Sequence, residues 1–139
     1  MAIFGAEIPF ADHCKVEVTG LVEGRTQLRM ETGPEHLNNL GIVHGGAVCT
    51  LLDICMGTAA RVRAGRPVMT LDMQVAFLAP ARGILLGEGR VVRAGRSIVF
   101  VEAEVRDEAG ELLAKSSGVF KPVGQPDPGA AQTAETPAA

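Results

Sequence analysis

The stretch HGGAVCTLLDICMGTAARVRAG, residues 44–65, decides the fold. From Gly45 to Ala60 it carries a single charged side chain, Asp53. The rest is apolar nearly all round: Val48, Leu51, Leu52, Ile54, Cys55, Met56, Ala59 and Ala60. A surface helix shows one apolar stripe, whereas a helix apolar on every side is covered on every side. The spacing predicts a buried helix over about 44–63, ended by Ala64-Gly65 with Pro67 just beyond. The apolar run 42–60 has about the length of a membrane span. His44, Asp53 and a glycine pair interrupt it, which favours a core helix.

Such a helix needs a cover, and the flanking sequence supplies strands. Residues 67–77 alternate, with Met69, Leu71, Met73, Val75 and Phe77 on one face and Thr70, Asp72 and Gln74 on the other. Residues 84–93 and 97–106 flank the turn Ala94-Gly95, and 111–121 close a hairpin across Asp107-Glu108-Ala109-Gly110. On the N-terminal side, 14–20 and 25–31 bracket the turn Val22-Glu23-Gly24, and a loop of turn formers fills 32–41. One buried helix with hairpin-linked strands predicts an α+β fold, a curved antiparallel sheet wrapped around the helix. The domain spans 1–123. From Pro122 onward the chain holds four of its eight prolines and no positive charge, so 124–139 are expected to form a disordered Pro/Ala-rich tail.

At 139 residues there is material for one domain with a real core. A net charge of −3 offers no basic surface to a nucleic acid or an anionic membrane. The absence of Trp and Tyr removes the usual stacking platforms for single-stranded nucleic acid. Cys14, Cys49 and Cys55 are odd in number and form no CxxC pair, which fits a reducing, cytoplasmic setting. The opening MAIFGAEIPF lacks a basic segment followed by an apolar run, so no signal peptide is expected. His13, His36 and His44 show no metal-ligand spacing with the cysteines, and no phosphate-binding glycine loop occurs.

Asp53 carries the first chemical signal. A buried carboxylate costs several kcal/mol unless it is paired, hydrogen-bonded or protonated. Either neighbouring hydroxyl or backbone groups satisfy it structurally, or it acts as a base or nucleophile. His44-Gly45-Gly46 marks the helix entry. Each glycine costs a helix about 1 kcal/mol relative to alanine, so either something approaches the backbone closely or the helix packs tightly on the sheet. The free N–H groups there carry partial positive charge and can polarise a carbonyl. Gly45 and Asp53 are eight residues apart, roughly 12 Å along the axis, and His44 and Asp53 point roughly 180° apart. One carbonyl cannot meet both groups of one helix. A twofold dimer would supply Gly45 from one subunit and Asp53 from the other.

The run from Asn38 to Asp53, spaced N-x-x-G-x-x-H-G-G with an aspartate nine residues after the histidine, resembles the signature of hotdog-fold thioesterases of the phenylacetyl-CoA (PaaI) type. The resemblance extends over 8–123 and includes Thr70-Leu71-Asp72-Met73. It implies hydrolysis of an acyl-CoA or aryl-CoA to the free acid and CoA, with no cofactor because CoA is part of the substrate. It also implies a homodimer with shared sites, assembled as a dimer of dimers. Asp53 would be the base or nucleophile and the Gly45 N–H the carbonyl polariser. Asn38 and His44 would position the thioester and the loop, and Thr70 would orient the water. Alternation places Thr70 on the polar face, so that role requires a local bulge or an intersubunit contact. The CoA moiety would run along Phe77, Pro80 and Arg82 and the turn bearing Arg93, Arg96 and Ser97, where the arginines either meet phosphates or are plain solvated charges. Two alternatives share the fold: a hydratase or dehydratase acting on hydroxyacyl thioesters, and an acyl-CoA-binding module without turnover.

Overall fold

The computed structural model describes residues 2–128. The chain begins with a two-stranded ribbon, β1 (Ala2–Ile3) and β2 (Ala6–Glu7), and a short helix, α1 (Pro9–His13). These three elements are absent from the sequence reading, because they are too short to display a period. β3 (Val16–Val22) and β4 (Arg25–Glu31) form a hairpin whose turn holds Glu23 and Gly24 at φ 52° and 78°. That pair of positive angles is what a two-residue hairpin loop uses. A 3-10 turn at Pro34–His36 interrupts the loop that leads to α2 (Gly45–Ala64). β5 (Val68–Phe77), β6 (Ile84–Ala94), β7 (Val99–Arg106) and β8 (Leu112–Pro122) follow. Six strands make one antiparallel sheet in the order β3-β4-β6-β7-β8-β5. This is the hotdog arrangement, with β3 and β5 at the edges.

α2 follows the cap residue His44 and stops where Gly65 adopts the left-handed conformation, φ 68°. Its length and composition would suit a membrane span, yet Leu51, Leu52, Cys55, Met56 and Ala60 are fully covered within the domain. They pack with Leu28, Met30, Leu85, Val101, Val105 and Phe120 of the sheet. β7 keeps the expected alternation, with Val99, Val101, Ala103 and Val105 buried beneath it. Gly87 and Gly89 let the helix come close: a Cβ would stand 2.5 Å from the Cys55 sulfur at Gly87 and 2.1 Å from the Cys55 carbonyl oxygen at Gly89. The buried Thr26 hydroxyl donates to that same carbonyl at 3.0 Å. The sheet and helix are thus joined by a hydrogen bond where side chains are smallest.

Of the tail drawn over 124–139, residues 124–128 are described, and they lie against the end of α2. Arg66 donates to the Gly124 carbonyl, the Asp127 N–H donates to the Gly65 carbonyl at 2.6 Å, and Arg61 grips the Asp127 carboxylate. Residues 129–139 lie outside the described residues.

Candidate active site

The loop entering α2 is held by His36, whose ring is buried. The Gly33 N–H donates to its Nδ1 at 2.9 Å, which leaves the proton on Nε2 to donate to the Cys14 carbonyl at 2.8 Å. Its own carbonyl accepts the His44 N–H at 2.7 Å. The sequence offers one histidine among loop residues, and only the tertiary contact with Cys14 reveals its role. Asn38 shapes the same loop. Its Oδ1 accepts the Leu40 N–H at 2.9 Å and the Ile42 N–H at 3.4 Å, leaving the side-chain NH2 as the group available to a ligand. Arg82 donates to the Gly41 carbonyl at 3.4 Å and ties the β5–β6 connection to this loop.

His44 caps α2 in extended geometry, φ −60° and ψ 139°, and its Nδ1 accepts the Gly46 N–H at 2.7 Å. An accepting Nδ1 leaves Nε2 as the ring's N–H donor. Gly45 is the first helical residue, so its N–H makes no intrahelical bond. It borders an apolar hollow of about 380 Å3 shared with Asn38, Val48, Phe77 and Pro80. Asn38, Gly45, Phe77 and Pro80 are therefore brought together by the fold.

Asp53 lies elsewhere, two turns along the helix. Its Oδ1 accepts the Thr70 hydroxyl at 2.8 Å. The β5–β8 register shifts between Thr70 and Asp72: Thr70 stands opposite Phe120 and Asp72 opposite Val119. Leu71 is thus an extra residue, and the bulge turns Thr70 toward the helix. The strict alternation read from the sequence is corrected at that point. Asp53 and Thr70 border a second hollow of about 280 Å3, where Ile8, Gly57, Val68 and Phe120 are joined by the polar side chains of Glu7, Thr58 and Arg61. The N-terminal contribution and Gly57 escape the sequence reading, although a mid-helix glycine one turn beyond the aspartate is a visible signal.

Burial, and secondarily the Asp53 carboxylate one turn away, push the Cys49 thiol up, while Cys55 is raised far further by complete burial. Both stay protonated at neutral pH and are poor nucleophiles. The residues expected along CoA divide between two ends of the sheet. Phe77 pairs with Ala114, and Ala114 with Val105, at one end of the sheet. At the other end, Thr70 pairs with Phe120, Phe120 with Val99 and Val99 with Ala94, placing Arg93, Arg96 and Ser97 beside the Asp53 end. Arg93 itself borders a hollow with Asp72, Val92 and Phe100. One chain does not gather this set. A wider hollow of about 490 Å3 includes Arg25, Glu88, Arg90 and Glu102. Among these four, Arg25 pairs with Glu88 at 2.9 Å and Arg90 with Glu102.

Comparison with known proteins bears on this geometry. The family model for the thioesterase superfamily matches residues 40–114. A protein of Saccharolobus solfataricus described as a candidate esterase is 33% identical over 105 residues, covering 74% of this chain and 75% of that one. Human acyl-coenzyme A thioesterase 13 is 29% identical over 108 residues, covering 73% of this chain and 75% of its own. A Bacillus halodurans protein crystallised with CoA superposes with a TM-score of 0.79 at 28% identity, over 86% of this chain and 81% of that one.

Proposed function

The chain belongs to the thioesterase superfamily, and we propose from that premise that it hydrolyses acyl-CoA or aryl-CoA thioesters to the free acid and CoA. As a member it is a thioester hydrolase. The observation that carries the residue assignment is the Asp53–Thr70 pair, a helix carboxylate and a strand hydroxyl 2.8 Å apart beside a hollow. Asp53 takes a proton from water as that water attacks the carbonyl carbon, or attacks the carbon itself to give a mixed anhydride that water then opens; in either route the C–S bond breaks and CoA leaves as the thiolate, which takes up a proton. Thr70 orients the carboxylate and the water. The Gly45 N–H, at the positive end of α2, stabilises the oxyanion. His44, with its proton on Nε2, and the Asn38 NH2 hold the thioester.

These groups serve one carbonyl in a homodimer, Gly45 from one chain and Asp53 from its partner. The edge strand β5 supports that assembly: Met69, Leu71 and Phe77 are each at least half exposed, at 53%, 50% and 57%, and an apolar unpaired edge is a surface that seeks a partner. The same pairing would unite Phe77, Pro80 and Arg82 with the partner's turn around CoA. The three thiols are free, in keeping with a cytoplasmic location. Thiol release from a panel of acyl-CoAs tests the activity. Asp53→Asn should fold and assemble normally while turnover drops by at least ~10²-fold, the scale of a lost general base. Near-normal thiol release from that variant would remove Asp53 from the chemistry.

A further inference from the structure

Gly57 occupies the middle of a 20-residue helix, where glycine is markedly less favourable than alanine. Close packing explains the glycines of the sheet: a Cβ at Gly87, Gly89 or Gly118 would meet helix atoms at 2.5, 2.1 and 3.0 Å. It does not explain Gly57. There, outside its own helix and among the described residues, a Cβ would meet only Phe120 Cε2 at 3.4 Å. The space it leaves open belongs to the groove between α2 and β5, the same hollow that Asp53 and Thr70 border.

We propose that this groove holds the acyl group of the thioester and that Gly57 sets how bulky that group can be. The inference rests on Asp53 being the reacting carboxylate. The acyl chain then leaves Asp53 along α2, over Gly57, between Ile54, Val68 and Phe120, with Glu7 at the groove's border, towards Arg61. Eight helical residues separate Asp53 from Arg61, roughly 12 Å. Arg61 is gripped by Asp127 through two hydrogen bonds of 3.1 and 2.6 Å, so the groove ends at an ion pair. An extended chain advances roughly 1.2 Å per bond, so about ten bonds reach that end. A longer apolar chain would have to strip water from the Arg61–Asp127 pair, which is unfavourable. The substrate class is therefore aryl and short-to-medium-chain acyl-CoA, with long-chain acyl groups disfavoured.

The test compares wild type, Gly57→Ala and Gly57→Val on butanoyl-, octanoyl-, phenylacetyl- and hexadecanoyl-CoA, with melting temperature measured alongside. Wild type should show kcat/KM for octanoyl- and phenylacetyl-CoA at least ~10-fold above that for hexadecanoyl-CoA. Gly57→Ala should melt a few degrees higher, because alanine favours the helix and its methyl has room. Its octanoyl-to-butanoyl ratio should nevertheless fall. In Gly57→Val that ratio should fall at least ~10-fold, and if valine prevents folding the alanine variant carries the test. An unchanged ratio in a folded variant overturns the inference, as does a wild type that prefers hexadecanoyl-CoA. Binding of the same thioesters to Asp53→Asn and to Asp53→Asn/Gly57→Val, measured by calorimetry, separates this inference from the hydrolytic one. Chain-length-dependent affinity that Gly57→Val weakens, in a wild type that releases no thiol, keeps the groove and removes the hydrolysis. Thiol release with a chain-length profile indifferent to Gly57 does the reverse.

Discussion

Thr70 meets Asp53 because Leu71 has no partner on β8. In a regular strand the side chains at 70 and 72 share a face, and Thr70 would stand with Asp72 away from the helix. One extra residue exchanges the faces. The hydroxyl is thereby set to hold the carboxylate in one orientation, and a hydrogen bond to a charged group contributes about 1.5–3 kcal/mol when formed. Thr70→Val keeps the shape of the side chain and removes the donor, so kcat should fall roughly tenfold or more. Thr70→Ser should remain near wild type in the same thiol-release assay. Equal activity in the two variants would mean that the hydroxyl plays no part in turnover.

The elements are seated by what they lack as much as by what they bury. α2 reaches β6 because two positions of that strand have no side chain, and a Cβ added at Gly89 would stand only 2.1 Å from the Cys55 carbonyl oxygen. Neither backbone can yield without moving the helix. Gly89→Ala should therefore destabilise the domain by about 3 kcal/mol, the upper range for overpacking, read as a lower urea midpoint at unchanged slope. Such a shift of α2 would also move Asp53 relative to Thr70, so activity should fall with stability. A stability change within ~0.5 kcal/mol, as at an ordinary surface position, would show that the helix does not press on β6 as described.

At the scale of the whole molecule, the two hollows of one chain are separated by two turns of α2, one bordered by Gly45 and the other by Asp53. Gly45→Pro removes the N–H at a helix position where proline is well tolerated. The extended geometry of His44 already suits a residue preceding proline. Gly45→Pro and Asp53→Asn should each be nearly inactive alone. Co-folded in equal amounts, about half the dimers are mixed and each holds one intact site, so about a quarter of wild-type activity should return. Differently tagged chains report whether exchange is complete. Complete exchange without recovered activity would end the shared-site reading.

Residues 44–65 determined the central helix without help from the rest of the chain, because continuous apolar character is tolerable only under cover. The six strands of the sheet were legible for a related reason: in β7 each buried valine alternates with an outward polar or aromatic neighbour, and that period survives in one dimension. Asp53 stood out as a lone charge in an apolar helix, and the spacing from Asn38 to Asp53 carried the resemblance to the family that the matched region 40–114 establishes. The tertiary structure alone decided the rest. The bulge at Leu71, the His36 bridge to Cys14, the division of the residues expected along CoA between two ends of the sheet and the hollow beside Gly57 all depend on partners far away in sequence. Periodicity records which face of an element is buried; it holds no record of what lies opposite or of where a register slips by one residue.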